Sequence, residues 1–332
     1  MTRLRRVGVA TLSTVALGFA LTAAPARAMP VSEGSGSVEC LDPASIGTAA
    51  RSGTGEREAD HRDVSPRQQR AIERRTERIL ARSEISQSET RRPSASVPVY
   101  FHVMMDEAGN GNVSRHRIDR QMAVLNTTFG GLESAAASDT GFTFALAGVD
   151  RYYNDTWHRD GSSVRYRSRT RLGGADALNI WLVEFDYLGV ATFPWDYASN
   201  PEIDGIRVNS GTLPKGSIAR YNRGKTATHE VGHWFGLYHT FQGGCATPND
   251  RVPDTPAQSS PTRGCPEGRN SCALPGLDPI HNYMDYSYDS CYNQFTADQS
   301  ARMSKMWTAY RGPNGPNDLT PRTGEGQSTA AP

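Results

Sequence analysis

One eleven-residue segment, His229–His239, constrains this chain more than any other, and it reads HEVGHWFGLYH. Residues four positions apart lie on the same face of a helix, so His229 and His233 can bind one metal ion together. Gly236 can adopt the left-handed backbone conformation that ends a helix, and the chain can then bring His239 back as a third imidazole. Three histidine ligands leave one coordination position of zinc open, as in a catalytic site. The segment therefore predicts a catalytic zinc ion held by His229, His233 and His239.

Glu230 follows the first histidine of this segment and lies one step further round the predicted helix. From there its carboxylate can hold a water molecule without binding the metal itself. Zinc held by three neutral imidazoles lowers the pKa of a water molecule to roughly 7, so hydroxide is available at neutral pH. We therefore expect a zinc hydrolase in which Glu230 is the general base.

Two other interpretations of this segment are open. A zinc hydrolase of the gluzincin type would take a downstream glutamate as its third ligand, but His239 already stands at the spacing for that role. An exported zinc-binding module without turnover would need no general base, yet Glu230 is present. Neither interpretation accounts for the complete pattern.

Residues 1–28 have the pattern of a secretory signal peptide. Arg3, Arg5 and Arg6 form the positive end, an apolar stretch follows, and Ala26-Arg27-Ala28 fits the small-x-small cleavage rule. A membrane anchor is the alternative, but polar residues interrupt the apolar stretch, and no other segment is apolar enough to span a bilayer. We expect a secreted protein with no stable membrane anchor.

The charge of the chain bears on its partners, because the formal net charge is only +1 at pH 7. Proteins that bind nucleic acid neutralise phosphates with clustered Lys and Arg side chains, and this chain has no large basic excess. The composition therefore argues against a nucleic-acid partner.

Five cysteines are present, and four of them follow the histidine segment: Cys245, Cys265, Cys272 and Cys291. In an exported protein this clustering predicts two disulfides that brace the loops around the metal site, and the spacing alone leaves three pairings open. Cys40 is the odd cysteine, and it lies in a different part of the chain.

Residues 29–96 differ from the rest, because they are rich in Ser, Gly, Arg and Glu and poor in aromatic and β-branched residues. One helix is predicted there, over Ser65–Arg82, with Ser65 as its cap and Pro66 at its first position. Its apolar stripe is too thin to build a core, but it can dock on another surface. We interpret residues 29–96 as a prosegment, with a disordered linker as the alternative.

Apolar spacing divides residues 97–310 into the strands and helices of one compact α+β domain. The predicted elements are a strand at Val97–Met105, a helix at His116–Phe129, strands at Gly141–Val149 and Ala177–Phe185, a short edge strand at Gly205–Asn209, the metal-binding helix at Lys225–Phe235, and a last helix at Thr296–Tyr310. Residues 311–332 contain almost no apolar side chains and are predicted to be a disordered tail.

The histidine segment resembles the zinc-binding motif of the metzincin endopeptidases. Two passages narrow the resemblance: His281–Ser287, HNYMDYS, is similar to the Met-turn of that clan, and Asp250–Pro256, DRVPDTP, is similar to the pappalysin family. Within this family the chain resembles the compact, ulilysin-like microbial members. The resemblance covers roughly residues 97–310. It implies a metzincin-type α+β domain with a twisted mixed sheet, and hydrolysis of protein or peptide substrates.

The resemblance also implies roles for individual residues after the histidine segment. Met284 would lie beneath the three imidazoles, where a soft thioether fills space without competing for the metal. Tyr286 would donate a hydrogen bond to the developing oxyanion, with a role as an aromatic core residue as the alternative. The disulfide pattern of the family implies the pairs Cys245–Cys272 and Cys265–Cys291.

A structural calcium ion is a further implication of the resemblance. Its oxygen donors would be Asp250, the carbonyl of Val252, Asp254 and Thr255, which are ligands of the hard type that calcium prefers. As bare sequence, a run of Asp, Pro and Thr is equally ordinary turn chemistry.

Latency and specificity complete the implications of the resemblance. Some family members are kept latent by a prosegment thiolate on the open zinc position, which implies that role for Cys40 in a zymogen. Pairing of Cys40 between chains is the alternative. Ulilysin-like enzymes favour a basic residue just after the cut, which implies an acidic group in that pocket. Asp285 and Asp289, which flank the Met-turn, are the candidates, and Asp289 is the one that we predict. Arg91-Arg92 would then be a target for self-cleavage, and a monomer is assumed.

Overall fold

The computed structural model describes residues 64–82 and 95–313. The predicted signal peptide, Cys40, Arg91-Arg92 and residues 314–332 of the predicted tail lie outside the described residues. Within the described residues, no helix has the length and apolar character that crossing a bilayer requires.

A five-stranded mixed sheet lies at the centre of the fold. Its strands are β1 (Ala95–Met105), β2 (Phe142–Tyr153), β3 (Leu178–Val183), β4 (Gly189–Ala191) and β5 (Ile206–Asn209). The strand order is β2-β1-β3-β5-β4, and neighbouring strands are parallel except for the antiparallel pair of β4 and β5. Every residue of β3 is buried, as expected for a parallel strand covered on both faces. The sheet confirms the predicted α+β class.

The prediction for the edge of the sheet is wrong. β5 lies inside the sheet, between β3 and β4, and β4 is the strand at this end. β4 was not predicted, because its three residues are too few to show an alternation of apolar and polar side chains.

The described residues contain six α-helices: α1 (Pro66–Arg82), α2 (Arg115–Phe129), α3 (Asp155–His158), α4 (Ser163–Thr170), α5 (Lys225–Trp234) and α6 (Ala297–Tyr310). The four long helices agree with the predictions to within two residues, whereas α3 and α4 are short and were not predicted. Two of the long helices, α2 and α6, begin at side-chain caps. Ser114 accepts the backbone N–H of Arg117, and Thr296 and Gln299 form a reciprocal capping box at the start of α6.

The main core joins the sheet to α2, α5 and α6. Aromatic rings dominate its centre, with centroids 4.3 Å apart between Phe142 and Phe235 and 4.9 Å apart between Phe129 and Phe295. All ten residues of α5 are buried, so this helix is held on every side. The core therefore fixes the position of the two histidines that α5 carries.

The connection from α5 to α6, residues 235–296, contains neither an α-helix nor a named strand. Two disulfides cross it, Cys245–Cys272 and Cys265–Cys291, and these are the pairs that the family resemblance implies. Their sequence separations are 27 and 26 residues, and the two closed loops overlap. The two disulfides therefore constrain a segment that has neither a helix nor a named strand of its own.

The predicted helix before the catalytic domain is present as α1 and packs against α6. Its polar residue Thr76 is fully buried, and the Thr76 hydroxyl lies 2.9 Å from the hydroxyl of Tyr310. Its apolar residues Ile72, Ile79 and Leu80 pack against a second, smaller core cluster. The thin apolar stripe is thus a docking face.

The folded domain continues past residue 310, where the prediction ended it. Arg311 is buried, and its guanidinium donates to both carboxylate oxygens of Asp204 at 2.9 Å. The same side chain donates to the backbone carbonyls of Trp234 and Ala175. The sequence pattern placed the boundary too early. The residue that holds Arg311 in the domain is Asp204, which lies 107 residues earlier in the chain, so no local pattern could reveal the contact.

Candidate active site

α5 and the turn after it bring three imidazoles together. His229 and His233 lie four residues apart on α5, and both are buried. The Nε2 atom of His233 lies 3.1 Å from that of His229 and 3.1 Å from that of His239. Three nitrogens bound to zinc at tetrahedral angles would lie about 3.3 Å apart, given Zn–N bonds of about 2.0–2.1 Å. The spacing is therefore close to that of a three-histidine zinc site.

The hydrogen bonds of two imidazoles indicate that a cation belongs between them. The Nδ1 atom of His229 lies 2.6 Å from the carbonyl oxygen of Tyr283, and that of His233 lies 2.8 Å from the carbonyl oxygen of Leu237. A carbonyl can only accept, so each Nδ1 carries the proton and each Nε2 presents a lone pair. Two lone pairs 3.1 Å apart cannot hydrogen-bond to each other. The residues present therefore fit a metal ion, with the backbone carbonyls fixing the required tautomer.

Gly236 makes the turn that returns His239 to α5. Its φ is +94°, in the left-handed region that favours glycine. A Cβ at this position would lie 2.7 Å from Cγ of Met306 and 3.2 Å from Cγ of Pro194. The turn therefore needs glycine for both its backbone conformation and the close packing of α6.

Glu230 is fully buried and lies against the edge strand of the sheet. A Cβ added to Gly189 of β4 would come within 2.7 Å of Glu230 Oε1 and 2.6 Å of its Cγ. Gly189 thus leaves the space that the carboxylate side chain occupies. Sequence reasoning did not identify Gly189, because β4 is too short to be recognised and its contact with α5 is non-local.

Met284 lies directly beneath α5, as a Met-turn would place it. It is fully buried, and a Cβ added to Gly232 would overlap its Sδ and lie 3.3 Å from its Cε. Its backbone N–H donates to the side chain of Asn282, whose amide pairs with that of Gln299 in α6. The position of the methionine is therefore tied to α5 on one side and to α6 on the other.

Tyr286 borders the histidine cluster. Its ring centroid lies 4.9 Å from that of His239, 5.7 Å from that of His229 and 5.0 Å from that of Phe241. The predicted role of Tyr286 requires a position near the three histidines. Its ring lies beside two of them, and the role stays a prediction.

A polar network that the sequence did not reveal holds the residue that hydrogen-bonds to His229. Glu133 accepts a hydrogen bond from the hydroxyl of Tyr283 and forms an ion pair with Lys225, the first residue of α5. Tyr283 supplies the carbonyl that fixes the tautomer of His229. Glu133 therefore links the start of α5 to the Met-turn. No local sequence signal could identify it, because its partners are 92 and 150 residues away.

The four residues of the calcium prediction form two separate arrangements. Asp250 accepts from the backbone N–H of Val252 at 3.0 Å and from the hydroxyl of Thr255 at 2.7 Å. Asp254 instead accepts from the Thr296 hydroxyl at 2.6 Å and from the backbone N–H of Asp298 at 2.9 Å, at the N-terminus of α6. Burial raises the pKa of Asp250 to about 7. These contacts account for a turn and a helix start, and calcium remains a prediction.

Asp289 lies at the other end of α5. Its side chain is 2% exposed, and one carboxylate oxygen accepts from the backbone N–H of Arg223 at 2.8 Å and of Lys225 at 3.4 Å. A carboxylate at the N-terminus of a helix is stabilised by the helix dipole. The residue therefore anchors the start of the histidine-bearing helix, and its predicted role in specificity stays a prediction.

Comparison with known proteins agrees with this geometry. The peptidase M43 family model, described as pregnancy-associated plasma protein-A, matches residues 184–308. An extracellular metalloprotease of Neurospora crassa is 44% identical over 230 residues, which cover 67% of this chain and 78% of that protein.

Two solved structures are similar in fold. Mature mirolysin of Tannerella forsythia in complex with a cleaved peptide has a TM-score of 0.54 and 30% identity, covering 64% of this chain and 91% of its own. A promirolysin mutant of the same organism has a TM-score of 0.59 and 26% identity, covering 74% and 92%. Family membership implies a catalytic metal, with which the histidine cluster is compatible. The chain belongs to the pappalysin (peptidase M43) family of extracellular metalloproteases and is a secreted metalloendopeptidase.

Proposed function

We propose that His229, His233 and His239 hold a catalytic zinc ion, that Glu230 is the general base, and that the enzyme prefers Arg or Lys just after the cut. One observation carries the zinc assignment. The Nε2 atoms of His229 and His233 lie 3.1 Å apart, and the Nδ1 atom of each ring is hydrogen-bonded to a backbone carbonyl oxygen. Neutral imidazole nitrogens in this number suit zinc, and they leave a coordination position open.

The chain supplies the proton transfers of peptide hydrolysis. Zinc, when bound, supplies a Lewis acid that polarises the scissile carbonyl group. Glu230 accepts the proton of the attacking water and delivers it to the leaving amine. Tyr286, beside His239 and His229, donates a hydrogen bond from its hydroxyl group to the oxygen on which negative charge develops.

The edge strand β4 lies beside the residue that we assign as the general base. β4 is the last strand at this end of the sheet and pairs with β5. An extended peptide can join the edge of a sheet through main-chain hydrogen bonds. Because Gly189 of β4 lies against Glu230, a peptide added to this edge passes the general base. This arrangement supports cleavage of internal peptide bonds of a substrate.

The preference for a basic residue after the cut rests on negative charge near the Met-turn. Asp289 is buried and lies five residues after Met284, and it is the acid that we assign to the pocket. A carboxylate in a pocket of low solvent access discriminates strongly between basic and neutral side chains, since water does not screen it.

Maturation is part of the proposal. Residues 1–28 are a signal peptide, residues 29–96 contain a prosegment, and Cys40 keeps the zymogen latent by occupying the open position of zinc. The comparison with mirolysin supports a prosegment, because the pro form covers 74% of this chain and the mature form 64%. Calcium is retained as a prediction, since a divalent cation would stabilise the charged form of buried Asp250.

Digestion of a peptide library tests the proposal. Mature protein is incubated with peptides that vary around the cut, with and without a zinc chelator, and mass spectrometry identifies the products. We expect cuts before Arg or Lys that the chelator abolishes. Asp289→Asn keeps an acceptor oxygen for the backbone but removes the charge, and we expect the preference to fall about tenfold.

The matched control is Glu267→Gln, which removes a charge from a side chain that is 72% exposed and leaves the preference unchanged. If the chelator abolishes cleavage but the cuts show no preference for the residue just after them, the proposed specificity is rejected and the proposed metallopeptidase function stands. No cleavage by the zinc-loaded protein would reject the proposed function.

A further inference from the structure

α1 covers a surface that belongs to the catalytic domain, which we call the α1-binding surface. Its apolar residues are fully or almost fully buried in the presence of α1: Phe193, Trp195, Tyr238, Met306, Ala309 and Tyr310. Val64, Ile72, Ile79 and Leu80 of the N-terminal segment pack against them. Ile79 and Leu80 follow Ile72 by seven and eight residues, about two helical turns, so these three side chains lie on one face of the helix. The contact is therefore an amphipathic helix seated on an aromatic surface.

Polar contacts fix the register of α1 on this surface. Glu73 forms an ion pair with Arg302 of α6 at 2.8 Å, with side chains only 21% and 6% exposed. Thr76 is fully buried between Tyr310 and Met306. At the start of the segment, Gln242 donates to the carbonyl oxygen of Val64 at 3.1 Å. A largely buried ion pair is costly to break, because removal of one partner leaves the other charge with little access to water.

The same surface backs the turn that presents the third histidine. Nε of Arg302 donates to the carbonyl oxygen of Gly236 at 2.9 Å, and its guanidinium lies 4.9 Å from the ring centroid of Tyr238. Phe193 stands edge-on to His233, with ring centroids 5.6 Å apart. Loss of α1 would expose the outer side of this layer of aromatic rings and leave Arg302 without Glu73. Exposed aromatic patches of this kind promote association with other surfaces.

We infer that residues 64–82 stay bound to the α1-binding surface after the chain is cut between residues 82 and 95, as a non-covalent part of the active enzyme. The occupant is defined, since it is this segment in the orientation that the intact chain already has. The prosegment then divides into two parts. The part that forms α1 remains, and the part that contains Cys40 leaves only after a further cut between residues 40 and 64. This inference does not depend on the zinc chemistry.

The test uses the full chain with a recognition sequence for a site-specific protease inserted within residues 83–94. Glu230→Gln prevents self-cleavage, so only the added protease makes the cut. After complete cutting, the protein is passed over a size-exclusion column at about 10 µM, and mass spectrometry finds the N-terminal fragment. We expect co-elution, which at this concentration requires a Kd below about 1 µM.

Two variants assign the binding to the α1-binding surface. Glu73→Gln breaks the buried ion pair, and we expect the fragment to dissociate about tenfold faster or more. Glu77→Gln is the matched control, because Glu77 pairs with Lys305 from a side chain that is 64% exposed and should change little. Thr76→Arg places a long side chain where no space exists, and we expect it to abolish co-elution.

Two results would overturn the inference. Separation of the wild-type fragment from the catalytic domain on the column would show that α1 leaves with the rest of the prosegment. Equal retention of the wild-type, Glu73→Gln and Thr76→Arg fragments would show that other residues hold it. Neither result bears on the proposed peptidase activity, because an added protease makes the cut in an inactive variant.

Discussion

Gly232 occupies a variable position of the histidine motif, yet the structure leaves no room for any other residue there. Glycine inside a helix lowers stability by about 1 kcal/mol relative to alanine, so its presence in α5 calls for a packing reason. The reason is Met284, whose Sδ lies where a Cβ would stand. The motif alone cannot reveal this constraint, since Met284 is 52 positions further along the chain.

The variant Gly232→Ala tests this contact. The gain in helix propensity is about 1 kcal/mol, and overlap with a buried thioether costs about 1–3 kcal/mol. We therefore expect a net fall in the free energy of unfolding, measured by denaturant titration. Combining Gly232→Ala with Met284→Ala supplies the control, because the vacated space should make the alanine at 232 favourable. An additive double variant would contradict the account.

Local and distant residues of the site differ in how well sequence predicts them. His229, Glu230 and His233 follow from helix geometry, because four residues set their relative positions. Gly189 and Glu133 also shape the site, but they act through contacts between elements that are distant in sequence. Sequence pattern cannot identify such residues without the fold.

At the scale of elements, strands β1 and β3 share a buried histidine. His102 of β1 lies 2.9 Å from the Asn179 side chain of β3 through its Nε2, and it is fully buried. Burial lowers the pKa of His102 below its ordinary value of 6.5, and this effect exceeds the opposing influence of Asn179 and Asp150. The folded protein therefore keeps this imidazole neutral.

This lowered pKa predicts a loss of stability in acid. As the pH falls below about 6.5, the unfolded chain binds a proton at His102 before the folded protein does, so its contribution to stability is lost. We expect the melting temperature to fall from pH 7 to pH 5, and to fall less in His102→Gln. His116→Gln, at an exposed position of α2, is the control. Identical pH profiles for the wild type and His102→Gln would contradict this prediction.

Long elements were predictable and short ones were not, for a physical reason. α2, α5 and α6 each present several apolar turns to the core, and the period of 3.6 residues is visible over such lengths. β4 has only three residues, and its place at the edge of the sheet depends on pairing with β5. The order of the strands is likewise a property of the assembled sheet.

At the scale of the whole molecule, one buried carboxylate joins distant parts of the chain. Asp204 accepts hydrogen bonds from Arg311 after α6, from the indole of Trp234 in α5 and from Thr192 after β4. Burial alone would raise the pKa of Asp204, but Arg311, Arg171 and the Thr192 hydroxyl together outweigh burial and hold the pKa below its ordinary value. The C-terminal end of the domain is thereby fastened to the helix that bears the histidines.

Removal of Arg311 therefore affects the entire fold. Arg311→Met leaves Asp204 charged and buried, and the loss of one partner of a buried ion pair costs about 3–5 kcal/mol. We expect this decrease in the free energy of unfolding by denaturant titration. Asp204→Asn combined with Arg311→Met removes both charges and should recover part of the loss. A decrease below about 1 kcal/mol for Arg311→Met would show that the pair does not fasten the domain.

The central claim is that three imidazoles bind zinc and Glu230 performs the proton transfers, and one comparison tests it directly. Zinc content and peptide turnover are measured side by side for the wild type and Glu230→Gln. We predict about one zinc ion per chain in both proteins, and a fall in kcat of at least about a hundredfold in the variant. Turnover by Glu230→Gln close to that of the wild type, or a wild-type protein that is active without metal, would contradict the account.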